Sequence, residues 1–113
     1  MHEMKIMPEY YNYILNGTKK IEIRLFDEKR QKIKIGDTIV FKKAPDFNEI
    51  FKSEVTNLLH YESFDDIFND FDISVLADFS KTKSEVIKEL NTFYTKEEQK
   101  KYGVIGIEIK VIK

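Results

Sequence analysis

The stretch Gly17-Thr18-Lys19-Lys20-Ile21-Glu22-Ile23-Arg24 sets the reading of this chain. Polar and apolar residues alternate strictly from Lys20 through Leu25, the signature of a strand with one buried face. The spacing predicts Ile21, Ile23 and Leu25 on one side and Lys20, Glu22 and Arg24 on the other. Glu22 and Arg24 then stand side by side, roughly 7 Å apart along the pleat. Upstream, Pro8 suits the first turn of a helix, and Tyr10, Tyr11, Ile14 and Leu15 recur at helical spacing. Asn16-Gly17 ends that helix, with Gly17 free to take the left-handed cap conformation. The cluster of cations and one carboxylate therefore falls at a helix-to-strand junction, where a turn aims side chains.

Working outward, Met4-Lys5-Ile6-Met7 reads as a short opening strand. Asp27 to Lys34 is charged and reads as a surface crossing. Ile35-Gly36-Asp37 turns the chain into the strand Thr38-Ile39-Val40-Phe41-Lys42, and Ala44 to Asn48 is a loop. Ile50 to Leu59 is rich in β-branched and aromatic residues and reads as a strand. Ser63-x-x-Asp66 opens a short helix carrying Ile67, Phe68 and Phe71. Thr82-x-x-Glu85 and Thr95-x-x-Glu98 are capping boxes. The first opens a helix with the apolar stripe Val86, Ile87, Leu90, Phe93 and Tyr94, and Tyr102-Gly103 ends the second. The last segment, Val104 to Ile112, puts Ile105, Ile107, Ile109 and Val111 on one face. Gly106 among them marks a bend or a close approach. Strands first and last with helices between give an α+β class, one sheet curled toward a barrel and flanked by helices.

The 113 residues suffice for a single domain, 1–113, with a sizeable core. Cysteine is absent, and His2 and His60 are the only histidines. A disulfide framework and a thiolate metal site are thereby excluded, and neither a metal nor a cofactor is expected. No apolar run approaches the ~20 residues that span a bilayer, so we expect a cytoplasmic monomer without membrane contact. The net charge of −1 argues against sequence-blind nucleic-acid affinity. Charge is nonetheless unevenly spread. Cations prevail from Thr18 to Lys34, while Tyr61 to Phe79 holds six acidic residues and no basic one.

Lys19 precedes the strand, so the turn aims it. A lysine there binds a phosphate or carbonyl as a point charge, or acts as a base when burial lowers its pKa. Arg24 offers a planar fork for a phosphate or a base edge. Glu22 accepts from an amino group or holds Arg24 in place. The plainer alternative is an exposed ladder of Lys20, Glu22 and Arg24, worth under ~1 kcal/mol per pair. Tyr94 and Tyr102 flank the last helical turn and are of a type that stacks a base; equally, they serve as packing residues. His60 reads as structural, and His2 as mobile near the terminus. The standard hydrolase and nucleotide-cofactor motifs do not occur.

Written G-x-K-x-x-E-x-R, the octapeptide resembles the signature of the ASCH domain family. Ile35-Gly36-Asp37 and the closing run Tyr102-Gly103-Val104 through Ile109 extend the resemblance over most of the chain. It implies a PUA-like small β-barrel of about five to six strands flanked by helices. It also implies a cleft lined by Gly17, Lys19, Glu22 and Arg24, with Tyr102 as a wall; Lys20 and Tyr94 join these as candidate ligand-binding residues on the reading of the residues themselves. The family is associated with RNA and modified nucleosides. Two functions follow as expectations. One is an RNA- or nucleotide-binding module with RNA or a nucleoside or nucleotide as partner. The other is a metal-independent hydrolase, acting on a modified nucleoside as N4-acetylcytidine amidohydrolases do, or on RNA as a ribonuclease. In it Lys19 and Glu22 would form the catalytic pair. The amidohydrolase type uses a lysine, a threonine and a glutamate. This chain keeps Lys19, places Glu22 where the threonine belongs, and carries Thr18 out of register. A third expectation makes the acidic Glu62–Asp72 segment a protein contact.

Overall fold

In a computed structural model that describes residues 1–112, the chain forms five strands and six helices, four of the helices in succession before the last strand. Lys113, the final residue of the expected domain, lies outside the described residues. The strands are β1 (His2–Ile6), β2 (Ile21–Leu25), β3 (Thr38–Lys43), β4 (Ile50–Tyr61) and β5 (Val104–Val111). The helices are α1 (Pro8–Leu15), α2 (Glu28–Gln31), α3 (Phe64–Asp70), α4 (Ile73–Leu76), α5 (Lys83–Phe93) and α6 (Lys96–Tyr102). They make one mixed sheet of order β1-β3-β4-β5-β2, with β1 parallel to β3 and the other neighbours antiparallel. The sheet curls into a half-barrel, the α+β architecture expected from the pattern.

Local chemistry accounts for most element ends. Gly17 takes φ 87°, the left-handed conformation that stops α1. Ser63, Asp72, Thr82 and Thr95 cap the N-termini of α3, α4, α5 and α6, and both threonines form complete capping boxes. The segment Asp27 to Lys34, expected as a plain surface crossing, contains α2, because Asp27 accepts from the Arg30 N–H as an N-cap. His2, expected to be mobile, lies in β1 with its ring nitrogen 2.9 Å from Asp37. Phe93 departs from its predicted place in the α5 core stripe. It ends the helix where no core receives it and is 79% exposed.

Two apolar clusters fill the two sides of the sheet. One gathers Ile39, Phe41, Val55, Ile105 and Ile107 with Tyr11 and Ile14 of α1. The other gathers Ile21 and Ile23 of β2 with Phe64, Ile67, Phe68, Leu76 and Val86. Phe64, Ile67 and Phe68 are essentially inaccessible, and burial of each contributes roughly 1.5–3 kcal/mol. They hold α3 against the sheet at Gly106. A Cβ there would stand 2.7 Å from Ile67 Cδ1 and 3.2 Å from Ile21 Cγ2. The helical layer sits this low because residue 106 has no side chain. Among the described residues no helix is long and apolar enough to cross a membrane.

Candidate functional site

The sheet order leaves β1 and β2 as edge strands. In the β2–β5 ladder, Lys20 O accepts from Ile109 N and Phe26 N donates to Gly103 O. The alternation of an antiparallel pair then turns the backbone groups of Ile21, Ile23 and Leu25 toward the open edge. The signature side chains cover part of that edge. Lys19 Nζ donates to the Ile21 carbonyl, and the Ile23 N–H donates to Glu22 Oε1 at 3.2 Å. Lys19 Nζ also donates to the Leu76 carbonyl of α4 and lies 3.2 Å from Glu22 Oε1. Its three N–H groups are thereby used.

Arg24 completes the seam. Its Nε and Nη2 donate to Glu22 Oε2 at 3.2 and 2.9 Å, and Nη2 also donates to the Lys5 carbonyl of β1 at 3.0 Å. The guanidinium thus joins the two strands that stand at opposite ends of the sheet order. Among the described residues, no carboxylate or carbonyl takes the two N–H groups of Nη1. The Tyr94 hydroxyl lies beside the guanidinium.

Lys19 and Glu22 are 3% and 6% exposed, so the cluster is the opposite of a solvated ladder. Burial pushes the Lys19 ammonium below the usual lysine range, against the pull of Glu22. Burial alone would raise the Glu22 carboxyl, but Arg24 and Lys19 together hold it below the usual carboxylate range. Burial works against the Arg24 cation too, and Glu22 and then Tyr94 outweigh it, so the guanidinium stays charged. Two cations and one anion leave the cluster with one positive charge in excess.

Beside the cluster lies a cavity of about 330 Å³. That is the small end of the range for ligand pockets, roughly 300–1,000 Å³. Lys19, Glu22 and Arg24 form its polar wall, and Tyr10, Ile23, Leu76, Val86 and Leu90 are among its apolar residues. Lys5, Met7, Phe93 and Tyr94 also line it. Lys19 Nζ stands 5.6 Å from the centroid of the Tyr10 ring.

The structure therefore gathers Lys19, Glu22, Arg24 and Tyr94, and it separates two residues expected with them. Lys20 precedes β2, with its N–H given to the Val75 carbonyl and its side chain exposed outside this cavity. Tyr102 lies on α6, half-buried, with the Lys101 ammonium 4.9 Å from its ring centroid, and it does not line the cavity. His60 packs edge-on against Phe26, also away from the cavity. Tyr10, Lys5 and Phe93 are lining residues that periodicity alone assigned to packing or left unremarked. A signal for Lys5 exists only in the tertiary fold, where its carbonyl meets Arg24. Among the described residues, no group of three His, Cys, Asp or Glu side chains is placed to hold a metal ion.

With the signature residues placed along the seam of a curled sheet, the sequence comparison agrees with the geometry. The chain belongs to the ASCH domain family, whose sequence model matches residues 4–113. Two solved structures are similar over nearly the whole length. The crystal structure of the hypothetical protein PH0355 is 39% identical, with a TM-score of 0.85 and 97% of both chains covered. The solution NMR structure of protein PF0455 from Pyrococcus furiosus is 33% identical, with a TM-score of 0.78, covering 99% of this chain and 97% of that one. Neither name states an activity or a ligand. No curated protein has a significantly similar sequence.

Proposed function

We propose that this ASCH domain protein binds a nucleotide unit, free or within RNA, with the base in the cavity beside Arg24. One observation carries the reading. Glu22 and the Lys5 carbonyl fix the guanidinium through Nε and Nη2, while among the described residues no carboxylate or carbonyl takes Nη1, and the Tyr94 hydroxyl stands beside the guanidinium on the cavity wall. A planar donor held in place loses little freedom when it meets a base edge or a phosphate. Tyr10, Tyr94 and the aliphatic lining suit a flat, largely apolar guest. The excess positive charge favours an electron-rich edge over a cationic one.

The same geometry favours binding over hydrolysis by the cluster. A catalytic Lys19 or Glu22 would need a free lone pair or an exchangeable proton facing the guest. Lys19 donates to three acceptors, and Glu22 accepts from Lys19, the Ile23 N–H and Arg24. Thr18, the nearest hydroxyl in sequence, is not among the lining residues.

Calorimetric titration with the four ribonucleoside 5′-monophosphates and with short single-stranded RNAs tests the reading. Binding at submillimolar to millimolar concentration is expected, weakened at least about tenfold by Arg24→Ala, the loss of roughly one charge-assisted hydrogen bond. Arg24→Lys is expected to weaken it comparably, because an ammonium is a point charge without the planar fork that grips Glu22 through two nitrogens and presents a third to a guest. No binding at millimolar concentration, or binding indifferent to Arg24, contradicts the proposal. Turnover of N4-acetylcytidine or RNA that is lost in Glu22→Gln would move the assignment to the hydrolase.

A further inference from the structure

We infer that the cavity takes one base of a single strand, that Phe93 stacks the neighbouring base at the mouth, and that Lys5 meets the phosphate between them. This rests on the nucleotide reading above and extends it from a lone nucleotide to an oligonucleotide. Three features of the mouth carry it.

The first is Phe93. A phenylalanine in the last turn of α5 is 79% exposed, yet it lines the cavity. Helical spacing from Val86 would have sent it to the core, so the fold presents the ring rather than hiding it. A flat aromatic face beside a base-sized cavity is the arrangement that stacks successive bases of an unpaired strand.

The second is Lys5. Its backbone carbonyl holds Arg24, while its side chain is exposed and its ammonium stands 5.0 Å from the centroid of the Phe47 ring. Phe47 takes φ 62°, a left-handed conformation that a residue of this bulk rarely adopts. The loop accepts that conformation, and its ring holds the ammonium of a residue that also lines the cavity.

The third is the balance of charge. Among the described residues Glu22 is the one carboxylate on the lining, and it is already matched by Lys19 and Arg24. A backbone phosphate on the Lys5 and Arg24 side of the mouth therefore meets positive charge, while Asp78 and the Lys81–Glu89 pair act on the Tyr10 side. The acidic Glu62, Asp65 and Asp66 line a different hollow, beside α6. That distribution favours a polyanionic strand over an acidic protein as the partner of this face.

The test compares the four ribonucleoside 5′-monophosphates with the four homotrinucleotide RNAs by calorimetry or NMR titration. At least one trinucleotide is expected to bind about 5- to 20-fold more tightly than its own mononucleotide, from one added stack and one phosphate contact. Phe93→Ser should bring that ratio close to one. Lys5→Gln should lower trinucleotide affinity several-fold and flatten its salt dependence by about one phosphate contact. Both side chains are exposed, and circular dichroism verifies that the variants fold. Equal affinities for trinucleotide and mononucleotide, or a ratio that survives Phe93→Ser, overturn the inference while leaving the nucleotide reading intact. Loss of a dimer in Phe93→Ser, seen by light scattering with the ratio unchanged, reassigns Phe93 to a protein contact. If neither probe binds, the nucleotide reading fails and this inference falls with it.

Discussion

Arg24 Nη2 donates to the Lys5 carbonyl at 3.0 Å, so a side chain of β2 bonds the backbone of β1 across the open side of the sheet. Five strands are too few here to close a backbone ladder, and the family signature stands in for the missing one. Lys19 takes the Ile21 carbonyl, Glu22 takes the Ile23 N–H, and Arg24 reaches the far edge. Edge strands left bare invite pairing with other chains. In this fold the polar groups that blunt the edge also form the cavity wall.

The seam makes Glu22 a sensitive polar position, since it is paired with both cations at once. Glu22→Gln removes the counter-charge of buried Lys19 and half-buried Arg24 and sets an amide N–H against donors. Breaking a buried pair in this way costs about 3–5 kcal/mol. The variant should melt on the order of 10–20 °C below the wild type by calorimetry. A change of only a degree or two would mean that the cluster adds little to stability.

The same carboxylate makes stability depend on pH. Burial opposes its charge, but Arg24 and Lys19 hold its pKa below the ordinary glutamate value. The folded state therefore keeps Glu22 ionised where the unfolded chain has begun to protonate it. Its contribution is complete above the unfolded value, near pH 4 to 5, and is lost as pH falls through the folded value. Asp37, lowered first by its hydrogen bond to His2, and Asp72 and Asp78, lowered by their Ser74 and Ser80 contacts, act in the same direction. Melting temperature should fall steeply from pH 5 to pH 3, and less steeply in Glu22→Gln. Identical slopes would rule out a Glu22 contribution.

Gly106 offers a test of packing independent of charge. Gly106→Ala drives a methyl into Ile67 Cδ1, and Ile67 is fully buried with nowhere to swing. Overpacking of this kind costs about 1–3 kcal/mol. Ile67→Val deletes the obstructing methyl, so the double variant should recover part of the loss. Denaturant unfolding of the two singles and the double measures the coupling directly. Strict additivity would show that the two sites do not meet.

Much of this architecture is legible in the chain because its cues are local. The alternation after Lys20, the two threonine capping boxes and the Ile105–Ile109 pattern each fix an element within a few residues. Two helices escape periodicity because α2 and α4 have only four residues each, and their sole cues are Asp27 and Asp72 as caps. The candidate site is legible only in part. Lys19, Glu22, Arg24 and Tyr94 do meet, but which groups they engage depends on partners 19 and 57 residues away, the carbonyls of Lys5 and Leu76. Strand alternation implied that Lys20 would join Glu22 and Arg24. The chain leaves the pleat at that point to bond Val75, and Lys20 ends up outside.

The most direct test follows the Arg24 side chain itself. Arg24 and Arg30 are the chain's only arginines, so their Nε–Hε resonances are readily assigned by substitution. Titration with each ribonucleoside 5′-monophosphate should shift the Arg24 resonance saturably while Arg30 stays in place. An Arg24 resonance that stays fixed up to about 10 mM ligand, well beyond useful affinity, contradicts the claim that this guanidinium receives the guest.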